Sequence, residues 1–507
     1  MLNFQKFAFP ATFLLIQIAY FSYSFYVINT EPDLSQIRKI LGPTLAIARA
    51  SANLINFNCA FILIPICRNL ISYLRTTFIN RLIQLDHHLS FHKLIASCIV
   101  FWSIVHVIAH LFNYLYISTT TPISTKTTMF LLFASGPGST GLIISICLFL
   151  MVTCSMQYTI RKSFELFWLI HHLFIVFFGA TLIHGSFCFI KSNNNAIDKC
   201  RGGPTFWKWW LAGFTLYIIE RILREVRGNQ KTEIIKVISH PSKVVEIRFK
   251  KQSLKYIPGQ YVFLCVPEIS AYEWHPFTLT SSPDQEESSI HMRIAGDWTG
   301  KLAKRLGYSE TITLYQVKLP LLMVDGAYGS ASEDCFEYPV ALLIGAGIGV
   351  TPFASILKSI RHRLTLKDGL KKLAKVYLVW IAREIESFEW FNSLLNEIEN
   401  DPDPRLSSLI SISTYITSRV DLECVHNIYL QDTVEMDALT GLKSKTNFGR
   451  PNFNHLFQRI KDAHRGADVG VFVCGPETLT KVCKKYCNDF SSSNVKEARF
   501  YYGKENF

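Results

Sequence analysis

The sequence predicts a multi-domain membrane protein: six spanning helices, then a small β-barrel, then a parallel α/β domain. Three observations predict it. Six apolar runs crowd the first 228 of 507 residues, each near the ~20 residues that a bilayer crossing needs. Basic residues gather at the ends of those runs. Beyond about residue 230 the long runs stop and short strand-like segments replace them.

The apolar runs cover about residues 8–27, 47–67, 93–115, 135–156, 164–186 and 207–224. The first lacks a strongly basic start and a small-residue cleavage site, so it is expected to stay as a helix rather than be removed as a signal. The linker 68–92 carries Arg68, Arg75 and Arg81, and 157–163 carries Arg161 and Lys162. Arg221, Arg224, Arg227 and Lys231 follow the sixth run. Positive loops stay inside, which puts these stretches and both termini in the cytosol. Trp207, Trp209 and Trp210 open the sixth run as an outer aromatic belt would. An integral membrane protein, surrounded by lipid, is expected.

In the second half, "TEIIKVISHPSKVVEIRFKK", "YVFLCV" and "HMRIAGD" read as strands of a barrel over 229–337. From 338 to 507, "VALLIGA", "VYLVWIA", "LISISTYIT" and "VGVFVCG" alternate with helix-like segments, the pattern of a parallel sheet. The first domain is thus expected to be 1–228.

Charge placement excludes some functions. Of the net +13, residues 1–228 hold +11 (18 Lys/Arg against 7 Asp/Glu) and the remainder only +2 (34 against 32). A nucleic-acid binder would carry its excess on a soluble face, so no nucleic-acid partner is expected. The 13 cysteines show no zinc spacing, and no EF-hand loop is present. Cys188 and Cys200 fall in a segment expected outside the cell, where a disulfide is permitted.

The apolar runs contain histidines, and ionisable groups inside a membrane point to function. His92 and His106 are 14 residues apart, ~21 Å of helix at ~1.5 Å each, and return to nearly the same face at ~100° per residue. One helix would then offer an imidazole near each leaflet. A second such helix would complete two bis-histidine haems, for which His is a standard axial ligand. The fifth run holds His171, His172 and His184. The 13 residues from His171 to His184 end ~140° off the starting face, and the 12 from His172 ~120° off. Either this helix is irregular near Gly179 or the two sites lie on different sides of it. The wheel leaves His171 and His172 both open.

"FHKLIASCIVFWSIVHVIAHLFN", "FELFWLIHHLFIVFFGATLIHG" and "ARASANLINFNCAFILIPICRNL" resemble the third, fifth and second helices of the NADPH oxidase family, in its phagocyte type. The resemblance spans nearly the whole chain. It implies His92 with His171 as ligands of an inner b-type haem and His106 with His184 of an outer one, with Phe177 between them. His110 and Arg49 match positions beside the oxygen-reducing haem. Arg68 and Arg75 lie where haem propionates could be paired.

The soluble half supplies the matching electron source. "WHPFTLTSSP" resembles the flavin motif of the ferredoxin-reductase superfamily, and it follows "IPGQYV" as it does there. His275, Pro276, Phe277 and Thr278 would lie along FAD, with Arg293 on its pyrophosphate and Thr299 making another phosphate-side contact. In "LLIGAGIGVTPFASIL", Gly345, Gly347 and Gly349 would let backbone approach a pyrophosphate at a helix N-terminus opened by Thr351 and Pro352. Arg383 and Arg450 match positions near the adenosine 2'-phosphate and favour NADPH over NADH. "VFVCGPETL" puts Cys474, Gly475, Pro476 and Glu477 where the nicotinamide would lie. Phe507 matches a terminal aromatic that shields the flavin.

The resemblance implies an oxidoreductase that passes electrons from NADPH through FAD and two haems to O2, making superoxide on the outer side. The partners it implies are cytosolic activators and a small membrane subunit. A ferric-chelate reductase shares the same plan. A histidine-lined channel or scaffold would need no haem. The chain departs from the family at Ala327, Tyr328 and Ala382, where modest changes near the nucleotide are expected. Residues 421–450 resemble the family's regulatory insertion. The outer loops, about 116–134 and 187–206, are short and carry no N-x-S/T sequon, so a reduced outer cap is expected.

Overall fold

The computed structural model describes residues 2–83, 85–120, 129–187, 206–308, 319–366, 369–418, 436–437, 439–492, 494 and 496–505. Cys188, Cys200, Phe507 and most of 421–438 lie outside these. The chain divides into two compact units, Met1–Arg221 and Ile222–Phe507.

In the first unit, five helices among the described residues are long and apolar enough to cross a membrane. They are α1 (Leu2–Thr30), α2 (Thr44–Phe61, extended by a turn at Ile64–Ile66), α3 (His88–Thr120), α4 (Gly136–Cys154), and the broken pair α5 (Phe164–His171) and α6 (Phe174–His184). The sixth expected span is α7 (Phe206–Gly228), 23 residues long. Lys208, Glu220, Arg221, Arg224, Glu225 and Arg227 keep it from being apolar enough by composition alone. Glu220 is buried and accepts the backbone N–H of Asn69 at 2.9 Å.

Small side chains let the helices approach closely, the usual device where lipid offers no hydrophobic contrast. Ala46, Ala48, Ala50 and Ser51 of α2 are buried, and α2 packs against α3. A Cβ on Gly213 of α7 would lie 2.6 Å from the carbonyl oxygen of Ala60. Buried amides join the first three spans. Gln17 and Asn58 exchange hydrogen bonds at 3.2 and 3.0 Å, and Trp102 Nε1 donates to Gln17 Oε1 at 2.7 Å.

The fifth span is irregular, as one of the two expectations required, but the irregularity sits at His172–Leu173 rather than near Gly179. There His172 N–H donates to Leu169 O, Leu173 N–H to Ile170 O, and Ile175 N–H to His172 O, at 3.0–3.2 Å. These are i to i+3 bonds, which advance about 120° per residue instead of about 100°. The tightening moves His184 toward the face of His171.

In the second unit, β1 (Glu233–His240), β2 (Val244–Lys250) and β5 (Ser288–Arg293) form one antiparallel sheet. The strands β3 (Tyr261–Cys265), β4 (His275–Thr278) and β6 (Met323–Tyr328) form another. Val245, Ile247, Phe249, Val262, Leu264 and Leu279 fill the space between, closed by Trp298 and Leu302 of α8 (Asp297–Arg305).

A six-stranded parallel sheet follows, ordered β10 (Asn447–Phe448), β9 (Ile410–Ile416), β8 (Lys375–Ala382), β7 (Val340–Ala346), β11 (Asp468–Cys474) and β12 (Arg499–Lys504). One face packs on α9 (Thr351–Thr365) and α10 (Glu389–Glu399), the other on α11 (Phe453–Ala463) and α12 (Glu477–Phe490). Strands buried on both faces explain the unbroken apolar runs of β7 and β11.

Candidate functional site

The intramembrane histidines fall into two pairs. His92 of α3 and His171 of α5 have ring centres 6.3 Å apart, and so do His106 of α3 and His184 of α6. Metal–imidazole bonds are about 2 Å and a ring centre lies about 1.1 Å behind its nitrogen, so two axial imidazoles on one iron stand roughly 6 Å apart. Both pairs have that spacing.

The neighbouring helices also fix the tautomers. His92 Nδ1 is 2.9 Å from Ile62 O and His106 Nδ1 is 2.8 Å from Ala48 O. A carbonyl only accepts, so both Nδ1 atoms carry the proton. His184 Nδ1 meets Thr140 Oγ1 at 2.9 Å, and His171 Nδ1 meets Ser155 Oγ at 3.4 Å. Those hydroxyls donate to Gly136 O and Met151 O, so they accept from the imidazoles. In all four rings Nε2 is therefore the nitrogen with a lone pair for a metal, and its orientation is set by the outer partner of Nδ1.

His172 is placed differently. Its Nδ1 donates to Trp168 O at 2.7 Å, and its ring stacks on Trp168 at 3.6 Å. Phe177 is buried with Phe178 in the apolar cluster that holds Cys98 and Ile99. The His110 ring lies 4.6 Å from that of His106, with Asn113 Nδ2 at 3.4 Å from His110 Nδ1. Arg49 is half-buried on α2, a charged neighbour of His110. Arg75 is buried and ion-paired with Asp86. Arg68 is half-buried, two turns before it on the same short helix.

In the barrel, β4 pairs with β3 and presents His275 and Phe277 toward Trp298 of α8, at 4.1 and 6.1 Å between ring centres. Pro276 is exposed, Thr278 is buried, and Arg293 is exposed at the end of β5. Trp298 Nε1 is buried with no hydrogen-bond partner among the described residues. A donor held in this way beside an aromatic shelf suits a flavin. Thr299 departs from the expectation. Its hydroxyl accepts the N–H groups of Ala295 and Gly296 at 3.0 Å and donates to Gly296 O at 2.9 Å. It caps α8 and has no proton left for a phosphate.

The carboxyl ends of β7 and β11 lie side by side, with Gly345 in register with Cys474. This is where ligands bind in open parallel sheets. The three glycines of the turn differ in role. A Cβ on Gly345 would lie 2.8 Å from Val350 Cα, and one on Gly349 would lie 2.6 Å from Cys474 O. Close packing imposes both. Gly347 has φ +55° and nothing within 4 Å of its Cβ position. It alone leaves backbone open to a pyrophosphate, just before α9, whose first residues are the buried Thr351 and Pro352.

Arg383 and Arg450 are exposed beyond the ends of β8 and β10. They belong to one edge, since Ser418 N–H bonds Arg383 O and Gly449 N–H bonds Ile416 O. Gly475 packs against Ala346, while Pro476 and the first residue of α12, Glu477, are exposed. Burial pushes the Cys474 thiol well up, so it stays protonated. The carboxyl terminus is anchored next to it. Glu505 N–H donates to Val473 O at 3.0 Å, and Ser332 donates to the buried Glu505 carboxylate through N–H at 2.7 Å and through its hydroxyl.

Sequence reasoning did not find the carbonyls of Ala48 and Ile62, the hydroxyls of Thr140 and Ser155, or Trp298. Backbone carbonyls carry no residue signature, whereas a Trp in "AGDWTG" after the flavin motif was a readable signal. Tyr328 also lies elsewhere than expected. Its hydroxyl donates to Asp325 Oδ2 at 2.6 Å and accepts from Arg227 Nη2 at 2.8 Å. The effect of that departure therefore falls where the end of α7 meets β6.

Comparisons agree along the chain. Residues 50–182 match a family described as ferric reductase like transmembrane component, 229–332 an FAD-binding domain, and 338–488 a ferric reductase NAD binding domain. The chain is 40% identical to NADPH oxidase 1 of Mus musculus, over 98% of this chain and 93% of that protein. It is 39% identical to NADPH oxidase 3 of Homo sapiens, over 96% and 95%. To a superoxide-generating NADPH oxidase heavy chain of Dictyostelium discoideum it is 37% identical, over 98% and 95%. Likeness of this depth over nearly every residue, joined to two histidine pairs spaced for haem, makes the chain a member of the NADPH oxidase family.

Proposed function

We propose that this protein is a transmembrane NADPH oxidase that takes electrons from cytosolic NADPH and delivers them to O2 across the membrane as superoxide. The observation that carries the reading is the two imidazole pairs, each with centres 6.3 Å apart and every Nδ1 tied to a neighbouring helix. When bound, FAD would supply the exchange of a two-electron hydride for single electrons, and haem the one-electron carriers.

The chain's own part is placement. His92 and His171 hold the inner haem, His106 and His184 the outer, and Phe177 packs between the pairs. Each pair would offer a haem iron two protein nitrogens, which would leave no site on it for O2. Arg49 and His110 stand beside the outer pair, where the positive charge of Arg49 would favour a developing oxygen anion. Arg68 and Arg75 lie at the inner boundary, and Arg75 keeps Asp86 as its partner. His275, Pro276, Phe277, Thr278 and Arg293 bind FAD. Gly347 and the start of α9 receive the nucleotide pyrophosphate, Arg383 and Arg450 the 2'-phosphate, and Cys474 to Glu477 border the nicotinamide. The chain lies in the plasma membrane with both termini in the cytosol, and works with cytosolic activators and a small membrane subunit.

The test is a reduced-minus-oxidised spectrum of the purified protein together with NADPH-driven dye reduction. Superoxide dismutase should abolish the dye signal. His92→Leu and His184→Leu should each lower haem from two to one per chain and stop superoxide release, while His172→Leu keeps both haems. Unchanged haem in either of the first two variants overturns the ligand assignment. Dismutase-insensitive Fe(III) reduction would instead make the protein a ferric-chelate reductase. Absence of b-type Soret and α bands would leave only a channel or scaffold.

A further inference from the structure

Away from the electron path, three barrel strands bring two histidines and a glutamate together. His240 ends β1, Glu246 lies in β2, and His291 lies in β5 directly opposite Glu246. His240 Nε2 is 3.4 Å and His291 Nε2 is 3.9 Å from the same oxygen, Glu246 Oε2. One donor atom from each residue lies within 4.8 Å of the others. The three side chains are 12%, 8% and 8% exposed.

The second ring nitrogens are already engaged. His240 Nδ1 is 3.1 Å from Glu389 Oε2 on α10, and His291 Nδ1 is 2.9 Å from Thr280 Oγ1, whose other partner is Ser289 Oγ. Glu246 Oε1 accepts from Arg248 Nε at 2.6 Å, which turns Oε2 toward the imidazoles. Two rings anchored at Nδ1 and aimed through Nε2 at one carboxylate oxygen reproduce the outer-partner arrangement of metal-ligating histidines.

We propose that His240, Glu246 and His291 bind a divalent transition-metal ion of the zinc class, with Glu389 and Thr280 orienting the two imidazoles. Ligands at about 2 Å in a tetrahedral site stand roughly 3.3 Å apart, so each Nε2 needs to approach Glu246 Oε2 by less than about 1 Å, and the two imidazole donors, within 4.8 Å of each other, need to close by at most about 1.5 Å. Two imidazoles with one carboxylate suit zinc better than magnesium or calcium, which prefer all-oxygen shells. The fourth position has no protein donor among the described residues and falls to water. Arg248 and Lys358 stand near Glu246 and offset part of its charge, which holds the affinity below that of a fully anionic site. A bound ion would tie β1, β2 and β5 together and, through Glu389, lock them to α10.

The test uses the full-length protein loaded with haem and FAD and stripped of loose metal by chelator. Zinc is added at rising concentration, and binding is followed by calorimetry and by metal analysis after dialysis. One equivalent should bind to the wild type. Affinity should fall at least 10-fold in His240→Ala and His291→Ala, and about 10–100-fold in Glu389→Ala, which removes only an orienting partner. Unaltered FAD content and Soret absorbance report folding. X-ray absorption at the zinc edge of the loaded wild type is independent of any variant and should show two imidazoles and one carboxylate. No bound equivalent, unchanged affinity in folded variants, or fewer than two imidazoles around zinc would overturn the site; an ion pair of His240 with Glu246 would then account for the cluster.

Discussion

Replacing Gly349 by alanine tests whether packing or ligand contact demands that glycine. The new Cβ would lie 2.6 Å from the carbonyl oxygen of Cys474, 3.0 Å from its carbonyl carbon and 3.2 Å from its Sγ. Carbon–oxygen contacts settle near ~3.3–3.6 Å, so the turn after β7 and the end of β11 would have to part by roughly 0.7 Å. Both sides are backbone of a close-packed sheet, and overpacking of this sort costs about 1–3 kcal/mol. Gly347→Ala meets nothing within 4 Å but keeps φ +55°, a left-handed conformation costing about 1 kcal/mol for alanine. Thermal release of FAD and the KM for NADPH, both on the full-length protein, separate the two. Gly349→Ala should be the less stable and should also raise KM, because Cys474 moves away from the turn. Gly347→Ala should stay closer to wild-type stability, and Gly347→Asn should recover part of its loss, since Asn tolerates this φ. If Gly349→Ala unfolds within about 0.5 kcal/mol of the wild type, the strand end yields and the packing argument fails.

Three further perturbations follow from the second unit. Tyr328→Phe removes a hydroxyl shared by buried Asp325 and by Arg227, and should lower thermal stability by about 1.5–3 kcal/mol, the range for bonds to charged partners. Burial lowers Lys251 to about 8 from an ordinary 10.5. The unfolded chain therefore holds more protons between those values, and stability should rise with pH across that window relative to Lys251→Met; a flat difference between about pH 8 and 10 would contradict it. Glu505→Ala removes the acceptor for both Ser332 donors and should make the carboxyl terminus more open to protease, with a changed KM for NADPH; an unaltered cleavage rate would mean that the strand pairing of β12 alone holds the tail.

The domain order and five of the six expected spans were legible because membrane and parallel-sheet elements write themselves as long or unbroken apolar runs. The fifth span shows where the reading of periodicity stops. A 13-residue spacing announced that His171 and His184 could not share a face of an ideal helix, but not where the helix gives way. The tightening falls beside the histidines, at His172–Leu173, and Gly179, the conformationally permissive residue, stays helical. Helix phase is a sum over every residue between two points, so any of them can absorb the error. A glycine only lowers the cost of doing so at one position.

The same distinction separates residue types from residue roles at the ligand sites. The spacing of His92 and His106 pointed to a metal, yet what would fit each imidazole to be a ligand is the carbonyl that takes its Nδ1 proton, from Ile62 and Ala48. Any residue type supplies a carbonyl, so the sequence shows this only indirectly, through the small side chains of α2 that let the α3 rings come within hydrogen-bond reach of its backbone. Substituting Ala48 by a larger residue should therefore disturb His106 although no functional group is removed. Thr299 is the converse case, a residue of the right type in the right motif whose hydroxyl is spent entirely on the cap of α8. A motif states which groups are available. Their hydrogen-bond partners in the fold decide which groups still have a proton or a lone pair to offer.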